Sequence, residues 1–184
     1  MIDGSVTLIL GKRGSGKTTK TKNIIATIPR FMVWDWRGEY DYPEMDLKDM
    51  LVTLRQDRFQ VTYRPNYRED LAEQFDQFAY PILHMASARN FTLVVDEAYL
   101  VCPKGEERSL GRLLRLTRPK NIDLYISSQR PCLIPGVFRS EADRWLIFHL
   151  HNPPDLYTIK EIHGQSTMDQ VKNLKQFQYI ERFT

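Results

Sequence analysis

Gly11-Lys12-Arg13-Gly14-Ser15-Gly16-Lys17-Thr18 is the stretch that decides how the rest of this chain reads. Upstream of it, Ser5-Val6-Thr7-Leu8-Ile9-Leu10 is β-branched and apolar, the composition of a buried strand. Downstream, Lys17 to Ile28 reads as a helix that Pro29 stops. Strand, glycine turn and helix follow in the order of the pattern G-x-x-x-x-G-K-[ST], which is met at every fixed position. Such glycines let backbone N–H groups converge on phosphate oxygens, and the helix amino terminus adds partial positive charge. Lys17 is then expected to reach the β- and γ-phosphates, and Thr18 to place its hydroxyl on Mg²⁺. Phosphate contacts are expected from Gly11, Lys12, Arg13, Gly14, Ser15, Gly16, Lys17, Thr18 and Thr19, with ATP and Mg²⁺ as cofactors.

The chain has 184 residues, which suits one domain, 1–184, built round a single core. A hydrophobic fraction of 42% with 27% charged residues is that expected of a soluble globular protein. No apolar run is long enough to span a bilayer. Residues Met1 to Ser5 lack the basic start of a signal peptide. Two cysteines, Cys102 and Cys132, are too few for a disulfide framework and read as reduced thiols in a cytoplasmic setting. The net charge of +3 permits a polyanionic partner without demanding one.

Periodicity gives alternating strands and helices. Phe31 to Trp36 reads as a strand, and Leu47, Met50, Leu51 and Leu54 mark a helix after Pro43. Phe59 to Tyr63 is a strand. Leu71, Phe75, Phe78 and Ile82 mark a helix expected to kink or break near Pro81. Phe91 to Asp96 is the strongest strand pattern in the chain. Leu110, Leu113 and Leu114 share one face of a further helix. Ile122 to Ser127 and Trp145 to Leu150 are strands, Asp155 to Ile162 a helix closed by Gly164, and Phe177 to Phe183 a short final strand. The fold class is α/β: a P-loop core, mainly parallel, with helices on both faces.

Two further segments carry chemistry. Thr92-Leu93-Val94-Val95-Asp96-Glu97 is an apolar strand ending in two carboxylates, at the sheet edge where ligands bind in such folds. Asp96 is expected to hold Mg²⁺ and Glu97 to polarise the attacking water as general base. A carboxylate committed to a metal is a poor base, so the pair points to hydrolysis. The next strand runs into Ser128-Gln129-Arg130-Pro131. There Gln129 is placed either to sense the γ-phosphate and orient water or to cap a loop.

GKRGSGKT, TLVVDE and ISSQRP, in order and on successive strands, resemble the HerA/FtsK superfamily of P-loop motors. Val33 to Tyr40 resembles the second-strand Asp-x-x-Gly-Glu-Tyr segment of HerA-like members. The resemblance covers roughly residues 5–180. It implies a homo-oligomeric ring, usually a hexamer, that moves nucleic acid or polypeptide through its centre by ATP hydrolysis. Arg118 falls where such proteins carry an arginine implicated in a neighbour's active site. The chain's length leaves no room for the flanking domain, membrane anchor or DNA-reading domain of most members. It therefore most resembles the viral genome-packaging ATPases. That resemblance implies double-stranded DNA as cargo, capsid or membrane vertex proteins as partners, and a place in the host cytoplasm or the virion. The alternatives are a phage assembly or secretion ATPase like the zonular-occludens-toxin proteins, and a cellular HerA-like translocase. A nucleotide kinase is disfavoured by the Asp-Glu pair and the lack of an arginine-rich lid.

The remaining candidates stay open at this level. Arg112, Arg115 and Arg118 form either a solvated basic face or, through Arg118, a finger into a neighbouring subunit. Lys104 and Arg108 lie in a polar stretch that either touches DNA in a channel or is a surface loop whose acids offset its bases. Trp34 and Trp36 read as core or interface, and Asp35 as near the site. His84, His149, His151 and His163 show no metal spacing.

Overall fold

The computed structural model describes residues 4–84, 90–102 and 108–184. Seven strands make one sheet: β1 Val6–Leu10, β2 Arg30–Trp34, β3 Phe59–Tyr63, β4 Phe91–Val95, β5 Ile122–Ser128, β6 Arg144–Phe148 and β7 Tyr179–Phe183. Their order is β3-β2-β4-β5-β1-β6-β7, and every pairing is parallel except β6 with β7. β1, β2 and β4 are buried at all five residues. That is the signature of parallel strands covered on both faces, and it explains their near-continuous apolar runs.

Alternation along the strands divides the core unequally. Leu8, Leu10, Met32, Trp34, Leu93 and Val95 join the large cluster. There they meet Met50 and Leu54 of α2 (Met50–Arg55), Phe75 and Phe78 of α3 (Leu71–His84), and Leu110, Leu113 and Leu114 of α4 (Ser109–Lys120). Phe138 of α5 (Gly136–Ser140) and Leu156, Ile159 and Val171 of α6 (Pro153–Lys172) complete it. The opposite face buries Phe31, Val33, Val94, Ile9, Leu146 and Phe148 under Ile25 of α1 (Lys17–Ile25), Tyr40 and partly buried tyrosines. Helices thus lie on both faces, but five crowd one of them.

Several boundaries differ from the sequence expectation, each for a local reason. α1 ends at Ile25 rather than Ile28: Ala26 and Thr27 form a turn, and Ile28 is the residue that Pro29 keeps out of helical geometry. β2 ends at Trp34, so Asp35 and Trp36 lie in the loop that follows. Pro81 neither breaks nor ends α3, which continues to His84. Its missing N–H costs one helical bond, against the burial of Phe75, Phe78, Ala79 and Ile82 on the same helix. Gly164 (φ 83°, ψ 167°) closes one helix, but a second follows at once to Lys172. Among the described residues no helix is long and apolar enough to cross a membrane.

Candidate functional site

Parallel registers bring the carboxyl ends of three strands to one edge: Leu10 of β1 lies beside Ser128 of β5, and Val95 of β4 beside Ile126. The segments after these strands are the glycine loop, Ser128-Gln129 and Asp96-Glu97. β5 lies between β1 and β4, so Gln129 emerges between the loop and the carboxylates. The loop is tied down on both flanks. Gly11 N–H donates to the Ser128 carbonyl (3.2 Å) and Lys12 N–H to the His149 carbonyl (2.9 Å). Gly14 (φ 73°) and Gly16 (φ 109°) take left-handed conformations that side chains resist. The first turn of α1 holds no acid of its own. Lys17 Nζ lies across the loop, donating to the carbonyls of Gly11 (2.8 Å) and Lys12 (3.2 Å). Burial lowers its pKa, while Glu97, Asp96 and Glu39 oppose that fall.

The two carboxylates are held differently. Asp96 accepts a short hydrogen bond from the Ser127 hydroxyl. Burial, with repulsion from Glu97 and Glu39 behind it, pushes its pKa up to about 7 against the opposing Ser127 bond and Lys17 charge. Glu97 occupies the left-handed region (φ 51°, ψ 55°), uncommon for a residue with a side chain and a form of strain found at functional positions. Its carboxylate accepts the Gln129 backbone N–H (3.0 Å) at one oxygen and the Gln129 side-chain amide at the other. Gln129 therefore does more than cap a loop: it grips both oxygens of Glu97.

Glu39 joins the cluster without having been assigned a place by the sequence reading. Thr18 Oγ1 donates to Glu39 Oε2 (2.9 Å). Fully buried Asp35 shapes that loop, accepting the N–H groups of Glu39 and Tyr40 at 2.9 Å each. Asp35 thus acts through backbone, one step from the site. The signal was present in Asp35-x-x-Gly38-Glu39-Tyr40, but a contact to Thr18 is visible only in three dimensions. Thr18, Asp96 and Glu39 offer hard oxygens. Among the described residues no group of three or more His, Cys, Asp or Glu side chains is poised to hold a metal. The Thr18, Asp96 and Glu39 oxygens suit instead a cation such as Mg²⁺, which keeps several waters and takes few protein ligands beside phosphates.

The other expected residues lie elsewhere. Arg118 Nη2 pairs with Asp143 Oδ1 (3.1 Å), and Asp143 Oδ2 accepts the N–H of Val6, the first residue of β1. Arg118 therefore stands at the amino edge of the sheet, opposite its own chain's loop, with its side chain 69% exposed. Arg112 and Arg115 are also exposed. Lys104 lies outside the described residues. Arg108 contacts Asp76 (3.4 Å), whose other oxygen accepts the Ser109 N–H (3.1 Å). Arg130 is held by buried Asp155 (3.0 Å). Trp34 is core, in contact with Tyr63, Phe75 and Phe78, whereas Trp36 underlies the Arg37 guanidinium. Thr19 is exposed on the first turn of α1. His149 is structural: its carbonyl anchors Lys12, and its ring meets the Leu174 carbonyl (2.8 Å).

No family model matches the sequence. The DNA double-strand break repair helicase HerA of Pyrococcus furiosus is 31% identical over 121 residues, which cover 60% of this chain and 20% of that protein. The genome packaging NTPase B204 of Sulfolobus turreted icosahedral virus 2, solved with ATP-gammaS, superposes with a TM-score of 0.81. That match covers 100% of this chain and 94% of the other at 21% identity. The chain shares the fold of that packaging NTPase. The N-terminal domain of zonular occludens toxin from Neisseria meningitidis shares it more distantly, at TM-score 0.51 and 19% identity over 82% of this chain and 78% of that one. The chain spans about a fifth of the length of its HerA relative.

Proposed function

We propose that this chain is a single motor domain that hydrolyses ATP and moves double-stranded DNA, as the packaging motor of a virus would. The observation that carries the chemistry is the convergence of the glycine loop, Asp96-Glu97 and Gln129 on one sheet edge, with Gln129 bonded directly to Glu97. The loop amides and Lys17 bind the phosphates. When bound, Mg²⁺ neutralises charge on the β- and γ-oxygens; Thr18 and Asp96 are the residues that would hold it, with Glu39 behind Thr18. Glu97 takes the proton of the attacking water. Each Glu97 oxygen accepts one bond from Gln129 and keeps a second lone-pair site for the water, and a γ-phosphate that drew the Gln129 amide away would raise the basicity of the oxygen it left.

Arg118 faces away from its own site and is exposed, the placement of a residue that serves a neighbour in a homo-oligomeric ring, a hexamer in this reading. Similarity over the whole chain to a packaging NTPase, against a weaker one to the toxin domain, supports packaging over secretion. Capsid or membrane vertex proteins are the docking partners this reading calls for. Arg108, already engaged with Asp76, is a weaker candidate for DNA contact than the sequence suggested. The deciding experiment measures ATP turnover with and without double-stranded DNA over a salt series. Turnover should rise with DNA, and the stimulation should fade as salt increases, because contacts to phosphate release counterions. A flat response to duplex DNA would overturn the DNA assignment while leaving the hydrolase intact.

A further inference from the structure

The loop between α6 and β7 lies against the phosphate loop. Phe177 N–H donates to the Ser15 carbonyl (2.9 Å), and the Gln176 side chain to the Gly14 carbonyl (3.2 Å). A Cβ at Gly16 would stand 2.7 Å from Phe177 Cδ1, so the ring rests on that glycine. Phe177 has φ 66°, a conformation that costs a residue with a side chain roughly 1–2 kcal/mol. Burial does not offset this, because Phe177 is 59% exposed. Its neighbour Tyr179 is otherwise occupied, packing on Phe148 (5.2 Å between centroids) and carrying Lys20 Nζ (4.6 Å).

Sheet order says what such a ring could meet. Glu97 and Gln129 lie on the β5 and β4 side of the glycine loop, whereas residues 174–178 lie on the β6 and β7 side. A nucleotide whose terminal phosphate faces Glu97 extends its other end away from β5, toward Phe177. We infer that Phe177 is the platform on which the nucleotide base stacks, held over Gly16 by its backbone bond to Ser15. This rests on the phosphate-site reading above. Stacking on an aromatic ring tolerates any base, since every base has a π-face, so the platform adds affinity without choosing adenine.

The test uses Phe177→Gly, which accepts the left-handed backbone and removes only the ring, and Phe177→Tyr, which keeps a ring. Calorimetry with Mg²⁺ compares ATP with inorganic tripolyphosphate, which has no base. Loss of base–aromatic stacking is worth about 1–3 kcal/mol, so ATP affinity should fall about five- to 150-fold in Phe177→Gly. Tripolyphosphate affinity should hold within about twofold, and Phe177→Tyr should bind ATP like the parent. An equal loss for both ligands, or none for ATP, overturns the platform. If Lys17→Ala leaves both affinities of the parent unchanged, the phosphate-site reading fails and the platform falls with it.

Discussion

Replacing Glu97 by glutamine separates the carboxylate's chemical role from its structural one. In the parent, each Glu97 oxygen accepts one bond from Gln129, from the backbone N–H at 3.0 Å and from the side-chain amide. A glutamine at 97 can accept only one of these, and its own NH₂ must face the second donor. A lost hydrogen bond to a charged acceptor costs about 1.5–3 kcal/mol. Against that, the substitution removes a buried charge beside Asp96, where the two carboxylates repel. The two effects oppose each other. At about 2–4 °C per kcal/mol for a domain of this size, the melting temperature should move by no more than about 5 °C. Turnover has no such offset. A positioned general base contributes about 10²–10⁴ in rate, or roughly 3–5 kcal/mol of barrier. Phosphate release should therefore fall at least about a hundredfold under saturating ATP and Mg²⁺, while nucleotide affinity measured by calorimetry stays within a few-fold. Turnover within about tenfold of the parent would refute Glu97 as the base.

Two other substitutions probe the surroundings. Arg118→Ala breaks only an exposed pair with Asp143, so stability should change by less than about 1 kcal/mol, whereas a ring that uses Arg118 in trans should lose most of its turnover. Mixing that variant with Lys17→Ala subunits should restore part of the activity; demonstrated mixed assemblies without recovery would confine Arg118 to its own subunit. Asp35→Ala strips the acceptor from the N–H groups of Glu39 and Tyr40, and should destabilise the fold by about 2–4 kcal/mol in chemical denaturation. A loss under about 1 kcal/mol would mean that the Glu39 loop holds its shape without Asp35.

What the sequence made legible was what local chemistry determines. The glycine loop needs its own left-handed residues, the strands from Val6 and Phe91 are near-continuous β-branched and apolar runs, and the strand from Phe59 alternates, so element type and place were readable. Glu39 and Ser127 were not assigned roles, because their worth depends on which strands are neighbours. Ser127 reaches Asp96 only because β5 pairs with β4, and Glu39 reaches Thr18 only because the loop after β2 folds over α1. Pro81 does not break its helix, which runs on to His84, because one missing N–H is a small loss against the apolar face that Phe75, Phe78, Ala79 and Ile82 bury. Past Gly164 the helical face was hidden, since Thr167 and Val171 are the only buried residues of the second segment.

The central place of β1 also has a temporal meaning. β1 is translated first, yet its partners are β5 and β6, and the bonds from Ser5 to Asp123 and from Val6 to Asp143 span 118 and 137 residues. The N–H of Gly11 has no acceptor until Ser128 has left the ribosome, and that of Lys12 none until His149 has followed. β2, β3 and β4 come earlier and pair with one another, so they form a half-sheet able to assemble while β1 waits. The earliest-made motif is among the last to take shape, at the high loop-closure cost of distant pairings. A nascent chain cut short of about residue 150 would carry the whole glycine signature and still lack the walls that give it a shape.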